Sequence, residues 1–234
     1  MLITSHKNNY GAPNTIKNPN YTTKQTSNSL MHSHSQSHHS QPRYSSIKNL
    51  PFSREEFLSQ FFDQHSGDLK PEYSRITYED GSEYIGQVTD CKQGKGMYSF
   101  PNKDVYMGTW KSDKFHGDGI YMYTNGETYY GKFQDGKKNG KGTYYYQSGA
   151  RYEGEWQKDR KNGFGIFFYA NNDRFEGNWL NNEKHGKGTY YYQNDDKYIG
   201  EWLKNKKMGN GVMYYANGAV YDGEWLDDKP GNKG

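Results

Sequence analysis

The sequence predicts an all-β protein: one elongated, single-layer antiparallel meander of about 14 strands, built from seven hairpins and preceded by a short helix and a polar tail. Three observations carry this prediction. An aromatic-x-Gly triplet begins at Tyr84, Tyr106, Tyr129, Tyr152, Phe175, Tyr198 and Tyr221, at intervals of 22, 23, 23, 23, 23 and 23 residues, and such a period marks a repeat architecture. Within each period side chains alternate in character with period 2, as strands require. Only 31% of the 234 residues are hydrophobic while 17% are aromatic, so more than half of the apolar residues are rings. This composition argues against an ordinary aliphatic core, and the buried layer is expected to be one of rings.

Residues 1–50 read as a low-complexity tail rich in Ser, Asn, Gln and His, too poor in apolar residues to offset the entropy of ordering. Its His32, His34, His38 and His39 have no Cys or carboxylate to close a metal site, so no metal is assigned.

Residues 51–70 are expected to carry a short amphipathic helix. Ser53 is placed as the N-cap, Glu56 completes a capping box, and Phe52 with Phe57 fits a hydrophobic staple, so the helix starts at Arg54. Phe57, Leu58, Phe61 and Phe62 gather on one face, and Gly67 is placed to end the element. About three turns cannot stand alone. This face therefore docks, either on the repeats, where it could cover the first half-repeat Ile76–Tyr78, or on a partner.

Residues 71–234 form the repeat domain. Two positions after the glycine of each triplet stands Val88, Trp110, Phe133, Trp156, Trp179, Trp202 or Trp225, which accounts for every tryptophan in the chain. A second glycine motif follows, as at Gly140/Gly142 and Gly163/Gly165. In the fourth copy, RYEGEW and GIFFYA read as the two strands, with QKDRKNGF and ANND as turns. Tyr152, Gly154 and Trp156 then share a face with Gly165, Phe167 and Tyr169, and the glycines leave room for rings of neighbouring copies to lie over the backbone. Lysines between the glycines are assigned to exposed turns.

The opposite face carries Thr143/Tyr145, Ile166/Phe168, Thr189/Tyr191 and Val212/Tyr214, too apolar for a surface that meets only water. Tyr145, Phe168, Tyr191 and Tyr214 are therefore singled out as a partner-binding face. The last full strand, with Tyr221, Gly223 and Trp225, is expected to lack its hairpin mate and to offer an open edge for self-association or a partner's strand.

Charge narrows the function. Residues 1–70 hold 7 Lys+Arg and 4 Asp+Glu out of totals of 30 and 27, which leaves the remainder with 23 of each. A balanced repeat domain argues against nucleic acid, which needs a basic face. The single Cys91 excludes an intramolecular disulfide and fits a reducing compartment. No stretch approaches the ~20 apolar residues of a membrane span, so an intracellular soluble protein is expected. Catalysis is not indicated: His116 and His185 are read as turn residues three repeats apart, and no phosphate-loop motif or cofactor signature is present.

The copies resemble the MORN (membrane occupation and recognition nexus) repeat, with the pattern Y-x-G-x-W, a basic turn, H-G-x-G and an aromatic strand. Tyr106-Met-Gly-Thr-Trp110 followed by His116-Gly-Asp-Gly119 is similar nearly residue for residue, and the resemblance covers residues 76–234. It departs at Val88, at a first repeat one residue short, and at Asn172 and Asp195 where a turn glycine is usual. The resemblance to MORN proteins of ciliary radial spokes and the cytoskeleton implies a non-catalytic scaffold within a large protein assembly, in the cytoplasm and cytoskeleton and most specifically the ciliary axoneme. The family name implies an alternative, a membrane or phosphoinositide tether acting through Lys137, Lys138, Lys141, Arg160, Lys161, Lys206 and Lys207, each worth ~1 kcal/mol near an anionic leaflet but diluted by acidic neighbours.

Overall fold

The computed structural model describes residues 54–63 and 69–231. The tail with its histidines, Phe52, the cap Ser53 and Gly67 lie outside the described residues, as does the side chain of Leu58. Among the described residues the first element is a short helix α1 (Arg54–Ser59), and strands follow: β1 (Ser74–Thr77), β2 (Glu83–Val88), β3 (Lys92–Ser99), β4 (Val105–Lys111) and β5 (Lys114–Met122). Next come β6 (Thr128–Gln134), β7 (Lys137–Tyr145), β8 (Arg151–Gln157), β9 (Arg160–Phe168) and β10 (Arg174–Leu180). The last are β11 (Glu183–Tyr191), β12 (Lys197–Leu203), β13 (Lys206–Tyr214), β14 (Val220–Leu226) and β15 (Lys229–Pro230). The 15 strands among the described residues form one sheet in sequence order, each antiparallel to the next.

The fourth repeat shows how the sequence makes the hairpin. Lys158 and Asp159 alone connect β8 to β9, with φ of 48° and 69°, the left-handed pair of a type I′ turn, whose twist matches that of the flanking strands. The long polar turn expected from QKDRKNGF is therefore corrected: Arg160, Lys161 and Asn162 already belong to β9, and Lys141 likewise lies in β7. A bulge between Gly154 and Trp156 restores the register, and Gly163 beside it has a φ of 85° that a side chain would strain. The other connection, Tyr146 to Ala150 in the preceding copy, closes through Gly149 N–H to the Tyr146 carbonyl at 3.0 Å. Asn172 and Asp195 keep the left-handed conformation of that glycine position, with φ of 68° and 66°.

The ring layer is one side of the sheet. Tyr84, Tyr106, Tyr129, Tyr152, Phe175 and Tyr198 are fully buried in it, joined by the tryptophans. Gly154 and Gly165 face each other across the strands, and a Cβ on either would collide with the ring of Tyr152. The expectation that rings of neighbouring copies cover the glycines is corrected in one respect: each tyrosine lies over its own repeat's pair. It is held there by its hydroxyl, which donates to the carbonyl three residues on, as Tyr152 does to Glu155 at 3.0 Å. Neighbouring copies meet through tryptophan. Trp179 packs edge-on to Tyr152 at 5.4 Å and its Nε1 donates to the Gly165 carbonyl at 3.2 Å. The turn residue Asp159 adds a clasp, giving its N–H to the Lys138 carbonyl at 3.0 Å and accepting the Lys138 N–H at Oδ1, 2.9 Å.

Candidate interaction surface

The other side of the sheet is not uniform. Its middle row runs through paired residues Ile85, Met97, Met107, Ile120 and Tyr130, then Thr143, Glu153, Ile166, Glu176, Thr189, Ile199 and Val212. Over β2 to β5 this row is aliphatic, and it is covered. Phe57 and Phe61 of the α1 segment are buried against Ile85, Met97, Val105, Met107, Ile120 and Met122, with Phe62, Leu69 and Tyr73 at the margin. Phe61 meets Phe57 at 5.1 Å and Tyr73 at 4.7 Å, both edge-on.

The docking face thus meets its own repeats, but the placement over Ile76–Tyr78 is corrected: α1 covers the face of β2 to β5, while β1 is paired to β2 and holds that edge. The reason is chemical. The face offers aliphatic side chains to two phenylalanine rings, whereas an edge offers only peptide groups. The helix is also shorter than three turns, because the chain turns at Gln60 and Phe61 so that Phe62 pairs with Leu69.

From β7 onward the outer face is open. Beside the middle row runs a second one in which rings from one strand alternate with cations from the next: Tyr145, Arg151, Phe168, Arg174, Tyr191, Lys197 and Tyr214. The guanidinium of Arg151 lies 3.6 Å from the centre of the Phe168 ring, that of Arg174 4.2 Å from Tyr191, and the ammonium of Lys197 4.7 Å from Tyr214. Such stacking keeps a ring tolerable at a wet surface and holds the cation in place. Nε of Arg151 is bonded to Glu153 at 2.6 Å and Nε of Arg174 to Glu176 at 3.2 Å. All four residues expected as a partner-binding face are therefore brought into one row; Tyr145, Phe168 and Tyr191 are half-buried and Tyr214 is exposed. The alternating cations were missed by sequence reasoning, although their signal was present: a basic residue opens β8, β10 and β12 alike.

The basic residues assigned to a lipid-binding ridge divide into two sets. Lys137, Lys141, Arg160 and Lys206 are exposed. Lys138, Lys161 and Lys207 are not on exposed turns, a correction that extends to Lys184: their stems enter the ring layer. The Lys161 ammonium sits 4.5 Å from the Trp179 ring and 4.8 Å from Phe167, and Lys184 lies 4.2 Å from Trp202. Burial pulls both lysines down to about 8, against the ring faces, which favour the charged form. The aromatic layer is wide enough to take a methylene stem, and the cation–π contacts offset part of its desolvation.

At the far end, β14 with Tyr221, Gly223 and Trp225 does have a mate. The Asp227-Asp228 turn leads into β15, where Trp225 pairs with Pro230 and Leu226 with Lys229, and Gly231 N–H reaches the Glu224 carbonyl at 2.7 Å. The expectation of an unpaired strand is corrected to that extent. His116 and His185 lie in strands β5 and β11, half-buried and not together.

This geometry defines an open sheet of stacked hairpins, an architecture of the repeat type. The MORN repeat family model matches residues 84–105, 106–128, 129–151, 152–174, 175–197, 198–220 and 221–234, and the chain belongs to that family of non-enzymatic repeat modules. A search among curated proteins found no match. Among solved structures, the chain is similar to the TCP domain of Drosophila melanogaster SAS-4 in complex with a proline-rich motif of Ana2, with 16% identity over 66% of this chain and 90% of that one and a TM-score of 0.39. It is also similar to the TCP10 domain of Danio rerio CPAP in complex with a STIL peptide, with 10% identity over 67% and 82% and a TM-score of 0.35. Virginiamycin B lyase of Staphylococcus aureus follows with 11% identity over 65% and 55% and a TM-score of 0.14. Likeness at this level says nothing of what this chain binds or does.

Proposed function

We propose that this protein is a non-catalytic scaffold of a cytoskeletal assembly, with the ciliary axoneme as its place, and that it meets other proteins through the open outer face of β7 to β14. The observation that carries this reading is the contrast between the two halves of that face. Where the outer row is aliphatic the chain covers it with its own phenylalanines; where the row holds Tyr145, Phe168, Tyr191 and Tyr214, nothing among the described residues does. Exposed apolar area of that kind marks interaction sites. The axonemal placement rests on the resemblance to radial-spoke MORN proteins.

The test is affinity purification of the tagged full chain, with its position in the cell followed in parallel. Phe168→Ser with Tyr191→Ser is expected to leave the fold intact and to reduce recovery of partners. Unchanged recovery would count against this surface, and a position away from any cytoskeletal structure would count against the placement. The membrane reading is the weaker alternative: half-burial of Lys138, Lys161 and Lys207 leaves Lys137, Lys141, Arg160 and Lys206 of the ridge exposed, and Lys206 is paired with Asp227 at 3.1 Å.

A further inference from the structure

The ring-and-cation row has a period, and the period selects a ligand. Rings recur every second strand, so neighbouring strands ~4.8 Å apart set successive rings at about 9.6 Å. A polyproline II segment rises ~3.1 Å per residue with three residues per turn, so every third side chain returns at about 9.3 Å. A helix or a β-strand laid along the same row matches less well: two turns of α-helix advance ~10.8 Å, which drifts by more than about 1 Å at each ring, and two strand residues advance ~6.7 Å.

The chemistry between the rings fits the same ligand. Polyproline II makes no internal hydrogen bonds, so its carbonyls need donors from outside. Arg151 and Arg174 each spend Nε on a glutamate, and among the described residues neither terminal guanidinium nitrogen nor the Lys197 ammonium makes a hydrogen bond. Rings for the apolar pyrrolidine and free donors for the backbone thus alternate along one line. The row is also continuous with a face that already holds a segment, because Val105 and Met122, covered by α1, occupy the positions equivalent to Arg151 and Phe168.

We infer that Phe168, Tyr191 and Tyr214, with Arg174 and Lys197 between them, bind a proline-rich segment of a partner protein in the polyproline II conformation, with a proline at every third position lying on successive rings. This rests on the reading of the outer face as the protein's interaction surface and names the partner's chemistry there. The segment crosses the strands, its prolines against the parts of the rings that the stacked cations leave uncovered and its carbonyls accepting from Arg174 and Lys197.

The probe is a fluorescently labelled peptide of about twelve prolines, titrated into the full chain and followed by anisotropy, with a Gly/Ser peptide of equal length as control. Saturable binding of the proline peptide alone is expected, weakened about tenfold or more by Arg174→Gln, which removes a charged donor, and by Phe168→Ser with Tyr191→Ser. Leu180→Ser, an exposed change outside the row, leaves it unaltered. Circular dichroism melting shows that each variant is folded before its affinity is read. Absence of binding, equal binding of the Gly/Ser peptide, or ring and arginine variants that bind as tightly as the unmodified chain overturns the inference. If the proline peptide fails while cellular partners are still lost in the ring variant, the proline ligand is wrong and the interaction face stands; if partners are retained as well, both are wrong.

Discussion

The outer face over β2 to β5 and the outer face over β7 to β14 lie on one sheet and repeat one motif, yet they have opposite fates. In the first region Ile85, Met97, Met107 and Ile120 are buried under Phe57 and Phe61. In the second, the same row reads Thr143, Glu153, Ile166, Glu176 and Thr189, and the neighbouring row alternates rings with cations. The ring layer on the other side changes little between the two: Gly-Gly pairs recur, with Phe175 at one tyrosine position and Val88 and Phe133 at two tryptophan positions. One face repeats the same packing along the sheet, while the other is a covered core in its first region and open in its second.

The largest effect tests the shared side. Trp179→Ala removes a buried ring that joins two copies and is expected to cost ~3–5 kcal/mol in urea unfolding, since the aliphatic cluster under α1 is separate from the ring layer and does not fill the gap. A loss under about 1 kcal/mol would show that the layer is not continuous. The next separates the two outer faces. Ile120→Asp places a carboxylate under α1 and is expected to cost more than about 3 kcal/mol, whereas Thr189→Lys in the same row of the open region, opposite Glu176, should cost under about 1 kcal/mol. Similar costs at the two positions would erase the distinction.

A smaller effect concerns the buried lysines. Lys161 and Lys184 titrate near 8 in the fold against an ordinary 10.5, so between those values the unfolded chain binds more protons and stability rises with pH. Tyr169, Tyr192 and Tyr198 are pushed up to about 12 by burial from an ordinary 10.0, so above about 10 the folded chain holds more protons and stability falls. The unfolding midpoint is therefore expected to climb from pH 7 to about 9 and decline beyond about 10, with a shallower climb in Lys161→Met. A monotonic fall from pH 7 would contradict the burial of these ammonium groups.

The smallest effect is on lipid. In flotation with phosphoinositide-containing vesicles the full chain is expected to show weak retention that salt removes, because only part of the basic set is exposed. Tight, salt-resistant retention would favour the tether.

Much of this was legible beforehand, for identifiable reasons. The ring layer could be read because its partners are fixed by period: Tyr152, Gly154, Trp156 and Gly165 recur in register. The expectation that rings alone are buried is corrected by the aliphatic cluster of Ile85, Met97, Met107 and Ile120 under α1. The row Tyr145, Phe168, Tyr191, Tyr214 was equally visible from alternation. What was not legible depended on local conformation. Lys158-Asp159 forms a two-residue turn because both residues accept a left-handed φ, which composition does not announce, and so Lys161 was assigned to a loop instead of a strand. Its burial among Tyr152, Phe167 and Trp179 runs against the usual exposure of lysine. The seat of α1 required comparing the outer rows copy by copy, since the repeat consensus concerns the inner face only.

Hydroxyl-radical footprinting of the full chain tests the central contrast most directly. Methionine thioethers oxidise readily wherever they are accessible, so Met97 and Met107 report cover over the first region while Phe168, Tyr191 and Tyr214 report exposure of the second. The account predicts slow oxidation of Met97 and Met107, both about 1% exposed, beside ready labelling of the three rings. Oxidation of Met107 as fast as that of an unprotected methionine, with Tyr191 and Tyr214 unlabelled, would contradict it.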